Sequence, residues 1–208
     1  MDSATTAFYT QYAENGAIRA EAQASAISTY FELAFDGGSK VLDIGSGSGR
    51  DLALLRQKGF DAYGIEPNDS MRAFAVQNHP ELMARLKPGS LPLPGNPFGG
   101  QFDGIVCSAV LMHVPEVQLP GSLESMRKVL KPEGRLLFSL PSMRPDLLED
   151  ERDRDGRFFR NHSPALISAI LKALGFSRIA LDSQASSFFP DIRWTIFLYG
   201  STANRHTR

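Results

Sequence analysis

Residues 41–49, Val41-Leu42-Asp43-Ile44-Gly45-Ser46-Gly47-Ser48-Gly49, decide how the rest of the chain is read. A short, mostly apolar strand runs into a loop with glycine at every second position. Leu52, Ala53, Leu54 and Leu55 then open a helix that Lys58-Gly59 closes. The glycines permit positive φ and let a bound group approach the backbone closely. The N-terminus of the following helix offers free N–H groups to an anionic group. The next strand, residues 61–66, ends on Glu66, 66 − 45 = 21 residues past Gly45. A carboxylate about 20 residues beyond such a loop can accept hydrogen bonds from ribose hydroxyls. Loop and carboxylate together point to an adenosine-containing ligand. The dinucleotide fingerprint Gly-x-Gly-x-x-Gly is not met, because its sixth position, counted from Gly45, is Arg50.

Outward from this unit, strands and helices alternate. Met71, Phe74, Ala75 and Asn78 form a helical stripe with Asn68 or Asp69 as N-cap, and a weak strand is expected around residues 83–86. Prolines and glycines make 88–100 a loop, and residues 102–107 are the next strand. Leu123, Met126, Val129 and Leu130 predict a helix stopped by Lys131-Pro132-Glu133-Gly134, before a strand over 135–140. Ser163-Pro164 starts a helix carrying Leu166, Ile167, Ile170, Leu171 and Leu174, with Gly175 at its C′ position. Residues 176–181 and 193–199 predict two closing strands, antiparallel because no helix-length connection separates them. Upstream, Ala20, Ala24, Ile27, Phe31 and Ala34 recur at helical spacing and stop at Asp36-Gly37-Gly38-Ser39. The fold class is therefore α/β, a mostly parallel sheet with helices on both faces. Ligands in such sheets bind beyond the carboxyl ends of the strands, so the site is expected on the loops after Ile44, Glu66, Cys107 and Leu140. The expected organisation is an N-terminal helical segment over 1–36, the main domain over 37–200 and a polar tail over 201–208.

Composition limits the rest. The 208 residues suit one domain, and 42% hydrophobic with 22% charged residues is ordinary for a chain with a real core. The net charge of −1 argues against a broad nucleic-acid surface or a polybasic membrane surface. One cysteine, Cys107, excludes an internal disulfide and a multi-cysteine zinc site, and no metal is expected. No uncharged apolar run approaches the roughly 18 residues that span a bilayer, and residues 1–6 lack signal-peptide features. A soluble, cytoplasmic protein is the expectation.

Gly-x-Gly-x-Gly, with Asp43 two residues ahead of it, resembles motif I of class I S-adenosylmethionine-dependent methyltransferases. Gly64-Ile65-Glu66-Pro67-Asn68-Asp69-Ser70-Met71 is similar to that family's acidic second-strand motif. Phe102-Asp103-Gly104-Ile105-Val106-Cys107 is similar to its fourth-strand motif, and Val129–Arg135 to its turn into the fifth strand. The resemblance covers most of the chain. It implies a seven-stranded Rossmann-like sheet with an antiparallel last strand, an N-terminal lid, and S-adenosylmethionine as cofactor. Glu66 would then hold the ribose hydroxyls. The backbone of Gly45, Ser46, Gly47 and Gly49 would face the methionine moiety, with Asp43 near its ammonium. Met71 and Leu91 would flank adenine, Ser90 would stand where the family often has an aspartate, and Pro67 and Ser108 would complete the cofactor site. Phe8-Tyr9-Thr10-Gln11-Tyr12-Ala13 is similar to the family's lid helix, from which Tyr12 could close over the methionine end.

The implied reaction is in-line methyl transfer to an O or N atom of a small molecule. Small-molecule use fits the neutral charge and the lack of Asn/Asp-Pro-Pro-Tyr after the fourth strand, where Cys107-Ser108-Ala109-Val110 stands. A hydroxyl acceptor needs a base, for which His113 and His162 are the candidates; a structural role for His113 is equally open. Residues 157–162 are read either as a lid edge or as a packing hinge. The charged run from Asp146 to Asp155 is read as a solvated loop, Cys107 as a buried apolar residue, and Trp194 as core, with Arg193 beside it a possible reach into the pocket. Two other readings stay open: a non-catalytic S-adenosylmethionine-binding regulator, and a nicotinamide-dependent oxidoreductase.

Overall fold

The computed structural model describes residues 2–15, 25–143, 147–148, 150–185 and 192–202. In chain order the elements are α1 (Ser3–Glu14), α2 (Phe31–Ala34), β1 (Lys40–Ile44), α3 (Arg50–Gln57), β2 (Asp61–Ile65), α4 (Asp69–Asn78) and β3 (Leu86–Lys87). They continue with β4 (Phe102–Ser108), α5 (Leu119–Val129), β5 (Leu130–Met143), α6 (Pro164–Ala173), β6 (Phe176–Ala185) and β7 (Arg193–Ser201). One seven-stranded sheet has the order β3-β2-β1-β4-β5-β7-β6. β7 runs antiparallel to both β5 and β6, and the other pairs are parallel.

The chain winds from β1 outward to β3, then crosses back to lay β4 on the other side of β1. That crossover leaves a crevice between the ends of β1 and β4, the switch point where this kind of sheet binds ligands. Consecutive residues of β1 enter different core clusters, Val41 one and Leu42 and Ile44 the other, so the strand is covered on both faces.

Gly104 in β4 is a strict packing position. A Cβ there would stand 2.2 Å from Cε1 of Phe35, a buried ring packed edge-on against Phe60. Gly104→Ala is expected to cost about 1–3 kcal/mol by overpacking. That lowers the melting temperature by roughly 2–12 °C for a domain of this size; a melt within a degree of the parent would mean that the Phe35 ring yields freely.

Several local expectations are corrected. Residues 26–34 form a 3₁₀ turn (Ala26–Tyr30) followed by the single turn of α2, not one longer helix; Ala20 and Ala24 lie outside the described residues. Ile27, Phe31 and Ala34 are buried all the same. The third strand is Leu86–Lys87, and 83–85 form the turn before it. Leu130 pairs with Phe102 as strand rather than ending α5, and Ser201 belongs to β7 rather than to the tail; residues 203–208 lie outside the described set. Among the described residues, no helix is long and apolar enough to cross a membrane.

Helix α1 begins on Asp2, whose carboxylate accepts from Thr5 N and Thr5 Oγ1 at 3.3 and 2.6 Å. It lies on α4, where Asn68 Nδ2 donates to Thr6 O at 3.1 Å and Thr10 Oγ1 at 2.9 Å. The same Asn68 caps α4 through Oδ1, which accepts from Met71 N at 3.0 Å. One side chain therefore starts a helix of the main domain and ties the N-terminal helix to it.

Candidate active site

The loop after β1 is held by the end of β2: Gly45 N and Ser46 N both donate to Ile65 O, at 2.8 and 3.0 Å. Glu66 follows directly, and its two carboxylate oxygens accept from Gly47 N (3.0 Å) and Asn68 N (2.8 Å). Burial raises the Glu66 carboxyl above its ordinary pKa; the two N–H groups and nearby Arg72 pull against that. Each oxygen keeps a second lone pair for a donor in the pocket.

Asp43 is 2% exposed and its Oδ2 has no hydrogen-bond partner. Burial pushes its carboxyl well up, the charges of Asp51 and Glu66 push further, and Arg50 opposes them. Asp51 itself is buried and accepts from Ser25 Oγ at 2.7 Å and Arg50 Nε at 3.3 Å. Asp43, Asp51 and Glu66 thus surround a pocket whose described lining includes one cationic side chain, Arg50. An orphaned buried carboxylate oxygen is costly, and a cationic group is the partner that would relieve it.

His113 sits on the turn after β4. Its Nδ1 lies 2.6 Å from Phe158 O, which can only accept, so Nδ1 carries the proton and Nε2 is the bare nitrogen. Burial pushes the imidazole down to about 4; the Phe158 carbonyl, Asp153 and Asp2 resist, and Arg157 adds to the depression. His113 is neutral at physiological pH. Tyr9 Oη stands 3.1 Å from Nε2 and is the donor there. The segment behind is tied to α1: Phe158 N donates to Thr5 Oγ1 at 2.9 Å, and Arg152 Nη1 to Asp2 Oδ1 at 3.1 Å.

Every candidate cofactor-binding or catalytic residue except Gly49 and His162 lines this one pocket. Gly49 is corrected to a packing position: a Cβ there would meet Leu82 Cδ1 at 2.9 Å and Ala75 Cβ at 3.0 Å, so it lets α3 and α4 close on each other. His162 is corrected from candidate base to a brace behind the pocket wall. It is 2% exposed, and its Nε2 bridges Leu111 O (3.1 Å) and Val114 O (2.9 Å), holding the turn that carries His113. Burial lowers its pKa.

The charged run is solvated at Asp150, Arg154 and Asp155, as expected, but not at Asp153. Asp153 is buried, accepts from Asp155 N and Arg157 N, and grips the Arg157 guanidinium at 2.6–2.7 Å. Asp146, where the run begins, and Glu149 lie outside the described residues. Cys107 is buried, which pushes its thiol pKa up. Trp194 is partly buried against the core, Arg193 is exposed, and neither lines the pocket. Among the described residues no three His, Cys, Asp or Glu side chains cluster as a metal site. Sequence reasoning gave no role to Tyr9, Arg50, Asp51 or Gln118, which also line the pocket. For Tyr9 a signal existed: it stands three residues before Tyr12, hence on the same helix face.

Comparison with known proteins adds a family. A profile described as "Methyltransferase domain" matches residues 16–180. The ubiquinone biosynthesis O-methyltransferase of Acinetobacter baylyi is 27% identical over 112 residues, 52% of this chain and 46% of its own length. The chain spans about half the length of that relative and of others that it matches. Among solved structures, the 1,6-didemethyltoxoflavin-N1-methyltransferase of Burkholderia thailandensis, with 1,6-didemethyltoxoflavin and S-adenosylhomocysteine bound, aligns with a TM-score of 0.75. It is 17% identical, with 96% of this chain and 88% of that one covered. The magnesium protoporphyrin IX methyltransferase of Synechocystis, with S-adenosylmethionine bound, aligns with a TM-score of 0.64 at 19% identity, covering 94% and 81%. At these identities the likeness is one of fold. Since the profile takes in most of the sequence, the chain belongs to the methyltransferase domain family, as a member of its class I, S-adenosylmethionine-dependent branch.

Proposed function

We propose that the protein transfers a methyl group from S-adenosylmethionine to an oxygen or nitrogen atom of a small-molecule acceptor. When bound, the donor supplies a methyl group on a sulfonium centre, displaced in line with the bonding pair leaving on sulfur. The chain needs no covalent nucleophile, in keeping with a buried, protonated Cys107.

The observation that carries the reading is the pairing of two chemistries around one pocket. Glu66 presents spare lone pairs suited to ribose hydroxyls, and the orphaned Oδ2 of Asp43 suits the cofactor's ammonium; these residues fit the group. Met71 and Leu91 offer apolar surface for adenine, beside Ser90, Pro67 and Ser108. Tyr9, Tyr12 and His113 line the same pocket and serve the acceptor: helix α1, which carries the two tyrosines, acts as a lid, and His113 takes up the acceptor's proton. With acceptor and donor aligned and water excluded, proximity supplies much of the rate. The net charge of −1 and the small molecule bound by the Burkholderia neighbour support a small acceptor.

The test has two stages. At about 100 times Kd, S-adenosylmethionine or S-adenosylhomocysteine should add about 2.7 kcal/mol and raise the melting temperature by roughly 5–11 °C, with no shift from NADH. A panel of catechols, phenols, hydroxylated heteroaromatics and N–H heteroaromatics is then scanned for S-adenosylhomocysteine release and a product heavier by one methylene. Stabilisation without turnover of any compound would make the protein a binding regulator instead.

A further inference from the structure

Asn68 is 2% exposed, and both hydrogens and the oxygen of its side-chain amide are in use. Nδ2 donates to Thr6 O at 3.1 Å and to Thr10 Oγ1 at 2.9 Å, while Oδ1 accepts from Met71 N at 3.0 Å. Thr6 O only accepts and Met71 N only donates, so the amide fits one way round. Thr10 Oγ1 hands its own hydrogen to Thr6 O at 3.1 Å, which closes the network on α1. The backbone N–H of Asn68 donates to Glu66 Oε1 at 2.8 Å. One residue therefore joins the carboxylate that faces the ribose, the start of α4 and one side of α1.

Thr6 and Thr10 stand about one turn apart on α1. Two anchors a turn apart fix a stiff helix in rotation as well as in position. A slip of one residue would turn the helix by about 100° and carry Tyr9 and Tyr12 off the pocket that they line. Other contacts between the two helices define that rotation less well. Ala13 and Met71 pack together, but apolar contact is non-directional. Ser70 Oγ reaches Glu14 Oε1 at 3.4 Å, a long and exposed bond. On its far side the start of α1 is held by Phe158 N and Arg152.

We propose that Asn68 is a positioning residue for acceptor binding: through α1 it sets Tyr9 and Tyr12 over the pocket in register with Glu66. The inference rests on the methyl-transfer reading above. Asn68 is not part of the pocket's described lining, so it acts through the helix and not by contact. Without its amide, an acceptor must use part of its binding energy to seat α1, and the loss falls on KM. At saturation the helix is seated, and the methyl-transfer step proceeds as before. The two amide hydrogen bonds are together worth a factor of roughly 5–150.

The experiment uses the full chain with the most active probe from the acceptor panel. Asn68→Ser keeps a neutral oxygen that can cap α4 but is too short to reach α1. Its KM for the probe should rise by about fivefold or more, with kcat and the Kd for S-adenosylhomocysteine within about threefold of the parent. Thr10→Val removes one of the same bonds from the α1 side, leaves the α4 cap intact, and carries the test if Asn68→Ser fails to fold. It should reproduce part of the rise in KM, and the double variant should be no worse than Asn68→Ser alone. A second readout needs no acceptor: backbone amides of α1 should exchange hydrogen faster in Asn68→Ser, while those of α4 keep their protection. An unchanged KM, additive effects in the double variant, or a cofactor Kd that weakens as much as KM would overturn the positioning role while leaving methyl transfer standing. No turnover by the parent with any probe would overturn both.

Discussion

Replacing Glu66 with alanine should weaken S-adenosylmethionine binding by a factor of at least 100. The carboxylate is 6% exposed, and backbone N–H groups of Gly47 and Asn68 fix its plane, so its remaining lone pairs are preorganised for two hydroxyl donors. Hydrogen bonds to a charged partner are worth about 1.5–3 kcal/mol each, and two of them come to about 3–6 kcal/mol. At 1.4 kcal/mol per tenfold, that is roughly 10²–10⁴ in Kd. The substitution also leaves Gly47 N and Asn68 N without their acceptor, so the glycine loop loses a tether as well as a ligand contact. Calorimetric titration of the folded variant, with its melting curve as control, separates the two effects. A Kd within threefold of the parent would remove Glu66 from the ribose site.

Glu66 was legible in the sequence because its place depends on short-range structure. A strand, a glycine loop, a helix and a second strand put residue 66 beside residue 47 whatever the rest of the chain does. A cap for α4 at Asn68 or Asp69, of which the structure uses Asn68, and the antiparallel pairing of β6 and β7 were legible for the same reason. Ile27, Phe31 and Ala34 mark the limit of that logic. Apolar spacing reports which side of a segment is buried, and that side is indeed in the core. Over nine residues, though, it does not separate i→i+3 from i→i+4 hydrogen bonding, and the segment is mostly 3₁₀.

The acceptor side was less legible because it is assembled from distant pieces. Tyr9 and His113 are 104 residues apart, and His113 and Phe158 are 45 apart. Nothing local to Arg157 says that Asp153 will turn its guanidinium toward α1. The two candidate histidines are chemically alike in the sequence. Only the packing of residues 157–162 beneath the turn after β4 gives one of them the pocket and the other two carbonyls behind it.

Asp43→Asn should change stability and binding in opposite directions. In the free protein Asp43 is buried with one oxygen unpartnered and two other acidic groups nearby, so its pKa in the fold is raised. A carboxyl raised in the folded state contributes stability that is complete below the ordinary carboxylate pKa of about 3.9 and is lost as pH rises through the raised value. Asp43→Asn removes that loss. The free variant should melt above the parent at neutral pH, and the gap should close as pH falls toward the ordinary carboxylate range. Cofactor binding should respond the other way. The ammonium loses a charged hydrogen bond of about 1.5–3 kcal/mol, a factor of roughly 10–150 in Kd. In the parent, binding favours the ionised carboxylate, so affinity should rise as pH rises toward the raised pKa, and over that range a proton should be released as the cofactor binds. Calorimetry in two buffers of different ionisation enthalpy counts that proton. If Asp43→Asn still releases it, or binds as tightly as the parent, the buried carboxylate is not the ammonium's partner, and its orphaned oxygen needs another occupant.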